Sequence, residues 1–334
     1  MPPSNEMTWA VTKDHMSVFL WLLAFAAGIA MIVWGAEAFA EHLGRASVRL
    51  GVSSFALALL LAGAEPEELA TAVAATLRGS PGIALGDVVG ANVAICLVAL
   101  GVGAWIAPLP FRAGVMRYAL LGLPLGAVGA WFVWDGEVGR IEGAILVALY
   151  AAYVGVIWWV ERKPPALGEV GELAEAREAA EAGKPSRVGR DLAFVLAGVG
   201  AMTAGATLLV EAVQRISGVE ATQTRLGLTL VGFSTGFELV VLAWSAARRG
   251  ISEAVVAGVV GSFAYNTTMT LGAGALARPL LLADAAMLHV PVLLMLGSLA
   301  LVVLLAARRG RLARIEGAIL LMTYPVFIAW VLSA

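Results

Sequence analysis

The chain is divided into long apolar runs that do not alternate. F-A-L-A-L-L-L-A at Phe55–Ala62 and A-I-L-V-A-L-Y-A-A at Ala144–Ala152 have no polar residue at every second position. Membrane barrel strands alternate over about ten residues, so these runs predict helices. A bilayer core of ~30 Å needs about 20 apolar residues in helical form. Such spans are expected at Ser17–Leu43, Val48–Leu77, Pro81–Ile106, Arg117–Trp134, Arg140–Trp159, Leu192–Val213, Thr222–Ala247, Ser252–Leu276, Ala283–Ala307 and Leu312–Leu332. Only 14% of the 334 residues are charged and the net charge is -2. A soluble domain carries roughly 25% charged residues. The deficit predicts a surface facing lipid, and nothing in the charge balance points to nucleic acid. The lone cysteine, Cys96, excludes an intramolecular disulfide and a multi-cysteine metal site, and three scattered histidines give no histidine metal cluster. The polar opening lacks the basic-then-apolar pattern of a cleaved signal peptide.

The two parts of the chain repeat one another. R-I-E-G-A-I-L stands at Arg140–Leu146 and again at Arg314–Leu320. Pro108–Leu109 returns as Pro279–Leu280, G-D-V-V-G-A at Gly86–Ala91 parallels A-G-V-V-G-S at Ala257–Ser262, and Gly35–Glu41 parallels Gly205–Glu211. The offsets run from about 170 to 174 in constant order, the mark of a duplicated unit. A charged segment with glutamates every third residue, Glu169 to Glu181, separates the halves. The expected organisation is a tail at 1–16, five helices over 17–161, a solvated linker at 162–189 and five helices over 190–334. An odd number of spans per half forces the second half to enter from the opposite face. With the amino terminus outside, sixteen of the 22 Lys and Arg residues fall in inward segments. That bias places the linker in the cytoplasm of a cell (inner) membrane protein. The fold expected is an all-α integral membrane protein with ten transmembrane helices as two inverted five-helix repeats, a common plan for secondary transporters.

Charge inside a span is costly and marks function by default. In the second span L-A-G-A-E-P-E-E-L carries Glu65, Glu67 and Glu68; in the seventh V-G-F-S-T-G-F-E-L carries Ser234, Thr235 and Glu238. Both lie near mid-span beside helix breakers, Gly63 with Pro66 and Gly232 with Gly236. Broken helices expose backbone groups that coordinate ions. The third span adds Asp87 and Asn92, the eighth Ser262 and Asn266. Carboxylates, hydroxyls and carbonyls are hard ligands suited to Ca²⁺ or Na⁺. Gly82, Gly86 and Gly90 form a small-residue stripe for close helix packing, expected to bring span 3 onto span 2 and Asn92 near Glu68. Arg140 with Glu142 and Arg314 with Glu316 are expected to pair at span starts, and Glu37 to serve as an interhelical or interfacial acid.

The pattern G-x-x-x-x-E-L, a glycine eleven residues after the acid, then G-[SA]-N, resembles the repeats of the cation/Ca²⁺ exchanger superfamily across essentially the whole chain. The family's repeat reads roughly G-T-S-x-P-E-L, then G-N-x-x-G-S-N-x-x-N. On that resemblance Gly63, Glu68 and Gly90–Ala91–Asn92 match the first repeat, and Glu238, Gly261–Ser262 and Asn266 the second. It implies ten helices, inverted repeats and antiport by alternating access, with Glu68 and Glu238 holding the ion and Glu67 of lesser weight. Spans 1 and 6 would slide to switch access. The resemblance implies exchange of Ca²⁺ for Na⁺ or H⁺; the cation is cargo and no cofactor is expected. The sequence departs from the family pattern in several places. The proline stands two residues before the aligned acid, Ala64 and Glu65 replace threonine and serine, and Ile95 and Phe263 replace asparagines. Glu238 precedes Gly250 by twelve residues, which a local bulge or a shifted acid would explain. Fewer neutral oxygens predict transport that follows pH more than the Na⁺ gradient. The alternative is a degenerate member that transports another monovalent or divalent cation or does not transport; against an intramembrane enzyme stand the lack of H-E-x-x-H and of a histidine beside Ser234 or Ser245.

Overall fold

The computed structural model describes residues 4–50, 65–161, 188–249 and 252–333. Gly63, Ala64, Gly250, most of the linker and the middle of the expected second span lie outside these residues. The described chain is helical, apart from four two-residue strands. We number the helices α1 Ser4–Leu50, α2 Pro66–Leu77, α3 Pro81–Ile106, α4 Ala113–Val133, α5 Arg140–Glu161, α6 Val188–Ile216 and α7 Glu220–Arg248. α8 comprises Ser252–Tyr265, Asn266–Thr270 and Leu271–Ala277 in unbroken succession; α9 is Ala286–Ala307 and α10 is Arg314–Ser333. Eight of the described helices are long and apolar enough to cross a membrane. The expected spans Val48–Leu77 and Ser252–Leu276 correspond to α2, which follows the undescribed stretch, and to α8. Large apolar side chains such as Phe19, Trp131, Ile141, Leu196 and Met322 point outward. In water such a surface would be prohibitive; against lipid it is the favourable one, and this is a multi-pass membrane protein.

The duplication read in the sequence is repeated in the coordinates. Residues 95–99 of α3 and 266–270 of α8 both widen into a π-helical turn, 171 residues apart. Strands β1 (Leu109–Pro110) and β3 (Leu280–Leu281) follow α3 and α8, while β2 (Glu137–Val138) and β4 (Arg311–Leu312) precede α5 and α10. The strands pair across the halves, β1 with β4 and β2 with β3, both antiparallel. Exchanging the halves turns one pairing into the other.

Glycines make the same exchange. A Cβ on Gly28 would stand 2.8 Å from the Gly205 carbonyl oxygen, and one on Gly35 2.7 Å from that of Gly198. α1 and α6 therefore touch backbone to backbone at two points related by the repeat, as small residues permit. Gly143 meets Gly272, and Gly317 meets Gly101, by the same rule, each at 2.8 Å from a carbonyl oxygen. One asymmetric contact also fastens α1 to α6. His42 Nδ1 lies 2.8 Å from Asp191 Oδ1, and Phe194 stacks on the imidazole at 4.4 Å. Asp191 is wholly buried. Glu37, in contrast, is exposed on α1.

Two expectations are corrected. The stripe Gly82, Gly86, Gly90 does not pack span 3 on span 2. A Cβ on Gly86 would stand 2.8 Å from the Leu228 nitrogen and the Thr224 carbonyl, so the stripe seats α3 against α7. Gly232 of α7 reciprocates, 2.7 Å from the Gly90 carbonyl carbon. The expected Arg–Glu pairs at span starts give way to caps. Glu142 accepts from the Gly139 N–H at 2.6 Å, and Glu316 from the Ala313 N–H at 3.0 Å with Arg309 nearby. Residues two apart on a helix do not face each other, whereas a first-turn glutamate reaches back to free N–H groups.

Candidate functional site

α2 starts abruptly. Glu65 is extended (φ -116°, ψ 82°) and Pro66 opens the helix. Proline at the first helical position forfeits an N–H that has no intrahelical partner anyway. This puts Glu67 and Glu68 in the first turn, where the helix dipole favours negative charge. Gly79, with φ 72°, then lets the chain reverse into α3, whose N1 residue is again a proline, Pro81. α3 is buried along almost its whole length, bringing Asp87 inside the protein. On α7 regular helix stops at Thr235 and restarts at Phe237, with Gly236 (φ -73°, ψ -2°) in a turn between them, and a π-turn precedes it at Gly227–Val231.

Glu65, Glu67, Glu68 and Asp87 are all buried, as are Thr235, Ser262 and Asn266. These residues gather at one place. Thr235 donates to Asp87 Oδ1 at 2.9 Å, joining α7 to α3. Ser262 donates to Glu65, joining α8 to the start of α2. Glu65 and Glu67 lie within hydrogen-bond reach of one another. Two carboxyl groups so close need a proton or a cation between them. Glu68 interacts with Asp87, Glu67, Glu238 and Asn266. Both Glu68 oxygens, Asp87 Oδ2 and Asn266 Nδ2 are buried without a hydrogen bond among the described residues. Unsatisfied carboxylate oxygens at such depth are expensive, so this cluster has the chemistry of a cation cradle.

Among the described residues no three carboxyl, imidazole or thiol groups converge on a single metal-sized point. A cation here would complete its shell with hydroxyl, amide and carbonyl oxygens, the donor set of Ca²⁺ and Na⁺ sites. Glu238 is half-buried on α7 and interacts with Glu65 and Glu68.

Two expected site residues turn their hydrogen-bond donors elsewhere, though Asn92 Oδ1 is buried without a hydrogen bond among the described residues. Ser234 is half-buried and returns its hydroxyl to the Leu230 carbonyl at 2.6 Å. Asn92 donates to the Val88 carbonyl at 2.9 Å and faces Met295 Sδ of α9 at 3.8 Å. The reason is the glycine stripe: α3 is rotated onto α7 and its asparagine turns toward α9. Sequence reasoning missed Tyr265, which interacts with Glu65, Glu67 and Glu68 and packs edge-on against Tyr150 at 5.2 Å. Its one signal was its place directly before Asn266. Tyr265 also lines a cavity of about 420 Å³ with Pro66, Ala70, Met202, Thr207 and Met269.

The chain is similar to CaxA of Alkalimonas amylolytica, 25% identical over 306 residues covering 89% of this chain and 94% of the relative. It is similar to the sodium/calcium exchanger MaX1 of Methanosarcina acetivorans, 27% identical over 339 residues covering 90% and 95%. Its fold matches a solved structure of the sodium-calcium exchanger NCX_Mj with a TM-score of 0.59 at 22% identity, over 93% of this chain and 98% of that one. The sodium/calcium exchanger protein family matches residues 20–159 and 191–333, both halves with the linker omitted. The repeated halves, the buried acids and this match have one meaning: the chain belongs to the sodium/calcium exchanger protein family.

Proposed function

We propose that this protein is a secondary cation antiporter that exchanges Ca²⁺ for Na⁺ or H⁺ by alternating access. The observation that carries the reading is the burial of acids from the first half, Glu65, Glu67, Glu68 and Asp87, against hydroxyl and amide groups from the second, Thr235, Ser262 and Asn266. A site built from both halves changes shape when the halves move relative to each other. The naming of the archaeal relative as a sodium/calcium exchanger supports Ca²⁺ as cargo. The helices would form two inverted repeats of five, with the amino terminus outside and the linker 162–189 in the cytoplasm of the cell membrane.

Purified protein in proteoliposomes tests the reading. With Ca²⁺ on one side and Na⁺, K⁺ or H⁺ gradients applied in turn, Ca²⁺ flux should follow at least one opposing gradient. Flux indifferent to all of them ends the antiporter reading. The topology has its own test: cysteines introduced at Ser4 and Gly171 should react with an impermeant reagent from opposite faces. Reaction of both from one face would remove the odd-span inversion.

A further inference from the structure

The register of the two halves identifies the repeat partner of Glu238. α3 begins at Pro81 and α8 at Ser252, and their π-turns begin at Ile95 and Asn266, each 171 residues apart. α2 begins at Pro66, and α7 resumes regular helix after Gly236 at Phe237, again 171 apart. Carried back by the same offset, Glu238 lands on Glu67. The counterpart of Glu68 is Leu239, a buried core residue. The same shift places a proline directly before the acid and makes the distance to Gly79 twelve residues, the distance from Glu238 to Gly250.

We infer that Glu67 is the repeat mate of Glu238, and that Glu68 is a carboxylate added outside the repeat which gives the site its preference for divalent over monovalent cations. The inference rests on the antiporter reading of this site. Glu68 is the acid at the centre of the cluster: wholly buried, with Asp87, Glu67, Glu238 and Asn266 around it and, among the described residues, no hydrogen bond within bonding geometry to either oxygen. A carboxylate buried among other carboxylates is stabilised by a cation that offsets their mutual repulsion. At a given distance its attraction to a divalent ion is twice that to a monovalent one. Adding one carboxylate to the acids already present therefore tilts selection toward the higher charge, while a leucine, as in the second half, leaves it unchanged.

The experiment compares Glu67→Gln, Glu68→Leu, Glu68→Gln and Glu238→Gln, each first shown to elute as a single species. The readout is the rise in melting temperature on titrating Ca²⁺ alone or Na⁺ alone into detergent-solubilised protein. Glu68→Leu and Glu68→Gln should still respond to Ca²⁺, with the half-saturating concentration raised at least about tenfold and that for Na⁺ shifted much less. Glu67→Gln and Glu238→Gln should lose the Ca²⁺ response. Loss of the response in both Glu68 variants, its survival in Glu67→Gln, or equal shifts for Ca²⁺ and Na⁺ would each overturn the assignment. Glu68→Gln keeps the side chain's shape, so the comparison survives if the leucine variant fails to fold. Binding is read here without transport: wild-type protein that binds Ca²⁺ but moves no ion defeats the antiporter reading and leaves the assignment standing.

Discussion

Gly90→Ala should prevent the centre of this protein from assembling. A Cβ at that position would stand 2.7 Å from the Leu228 carbonyl carbon and 3.0 Å from its Cα, backbone atoms of the π-turn in α7. A flexible side chain could give way; a backbone cannot without moving α7. Overpacking of a tight interior costs about 1–3 kcal/mol when side chains alone adjust, and more when a helix has to shift. The contact lies within one turn of Asp87, so the shift would also break the Thr235–Asp87 hydrogen bond. Size-exclusion chromatography in mild detergent should show aggregate in place of a single peak. Gly297→Ala is the control, because nothing lies within 4 Å of its added Cβ. A monodisperse Gly90→Ala protein with the wild-type melting temperature would show that α3 and α7 are not as close as described.

The largest effect on activity is expected from Glu238→Gln. Its carboxylate is the second half's only acid in the cluster among the described residues, interacting with Glu65 and Glu68 across the repeat boundary. An amide of the same shape keeps the packing and removes a full charge. With an effective dielectric of about 20, a unit charge about 4 Å from another is worth about 4 kcal/mol, and twice that for a divalent ion. Even after solvation offsets most of this, Ca²⁺ uptake should fall by more than about a hundredfold while the purified protein stays folded. Uptake within a fewfold of wild type would remove Glu238 from the site.

Helices and duplication were legible in the sequence because both are written in periodic features. A span needs some twenty apolar residues, and R-I-E-G-A-I-L recurs within four residues of the offsets of three other segments, in the same order. Acids such as Asp87 and Glu68 were legible as buried because a charge within an apolar span costs too much to be left facing lipid. Side-chain direction was not. Whether Asn92 meets Glu68 or Met295 depends on the rotation of α3, and that is fixed by three glycines fitting the backbone of α7, a contact between segments over 130 residues apart. The pairing of Glu238 with Glu67 was hidden because two adjacent glutamates satisfy a motif almost equally well. Only the shared start points of α2, α3 and α8 with their partners separate them. His42 and Asp191 offered no local pattern at all; they are 149 residues apart and meet because Gly28, Gly35, Gly198 and Gly205 draw α1 and α6 together.

The strand pairs have a consequence for how such a chain could arise. β1 bonds to β4 and β2 to β3, and Gly28 faces Gly205 as Gly198 faces Gly35. Each half thus carries both partners of these contacts, the donor surface and its receptor. A gene of half this length would encode a subunit able to close the same interfaces with a copy of itself. Fusion of two such copies would then let them diverge, one gaining an extra acid where the other kept a leucine.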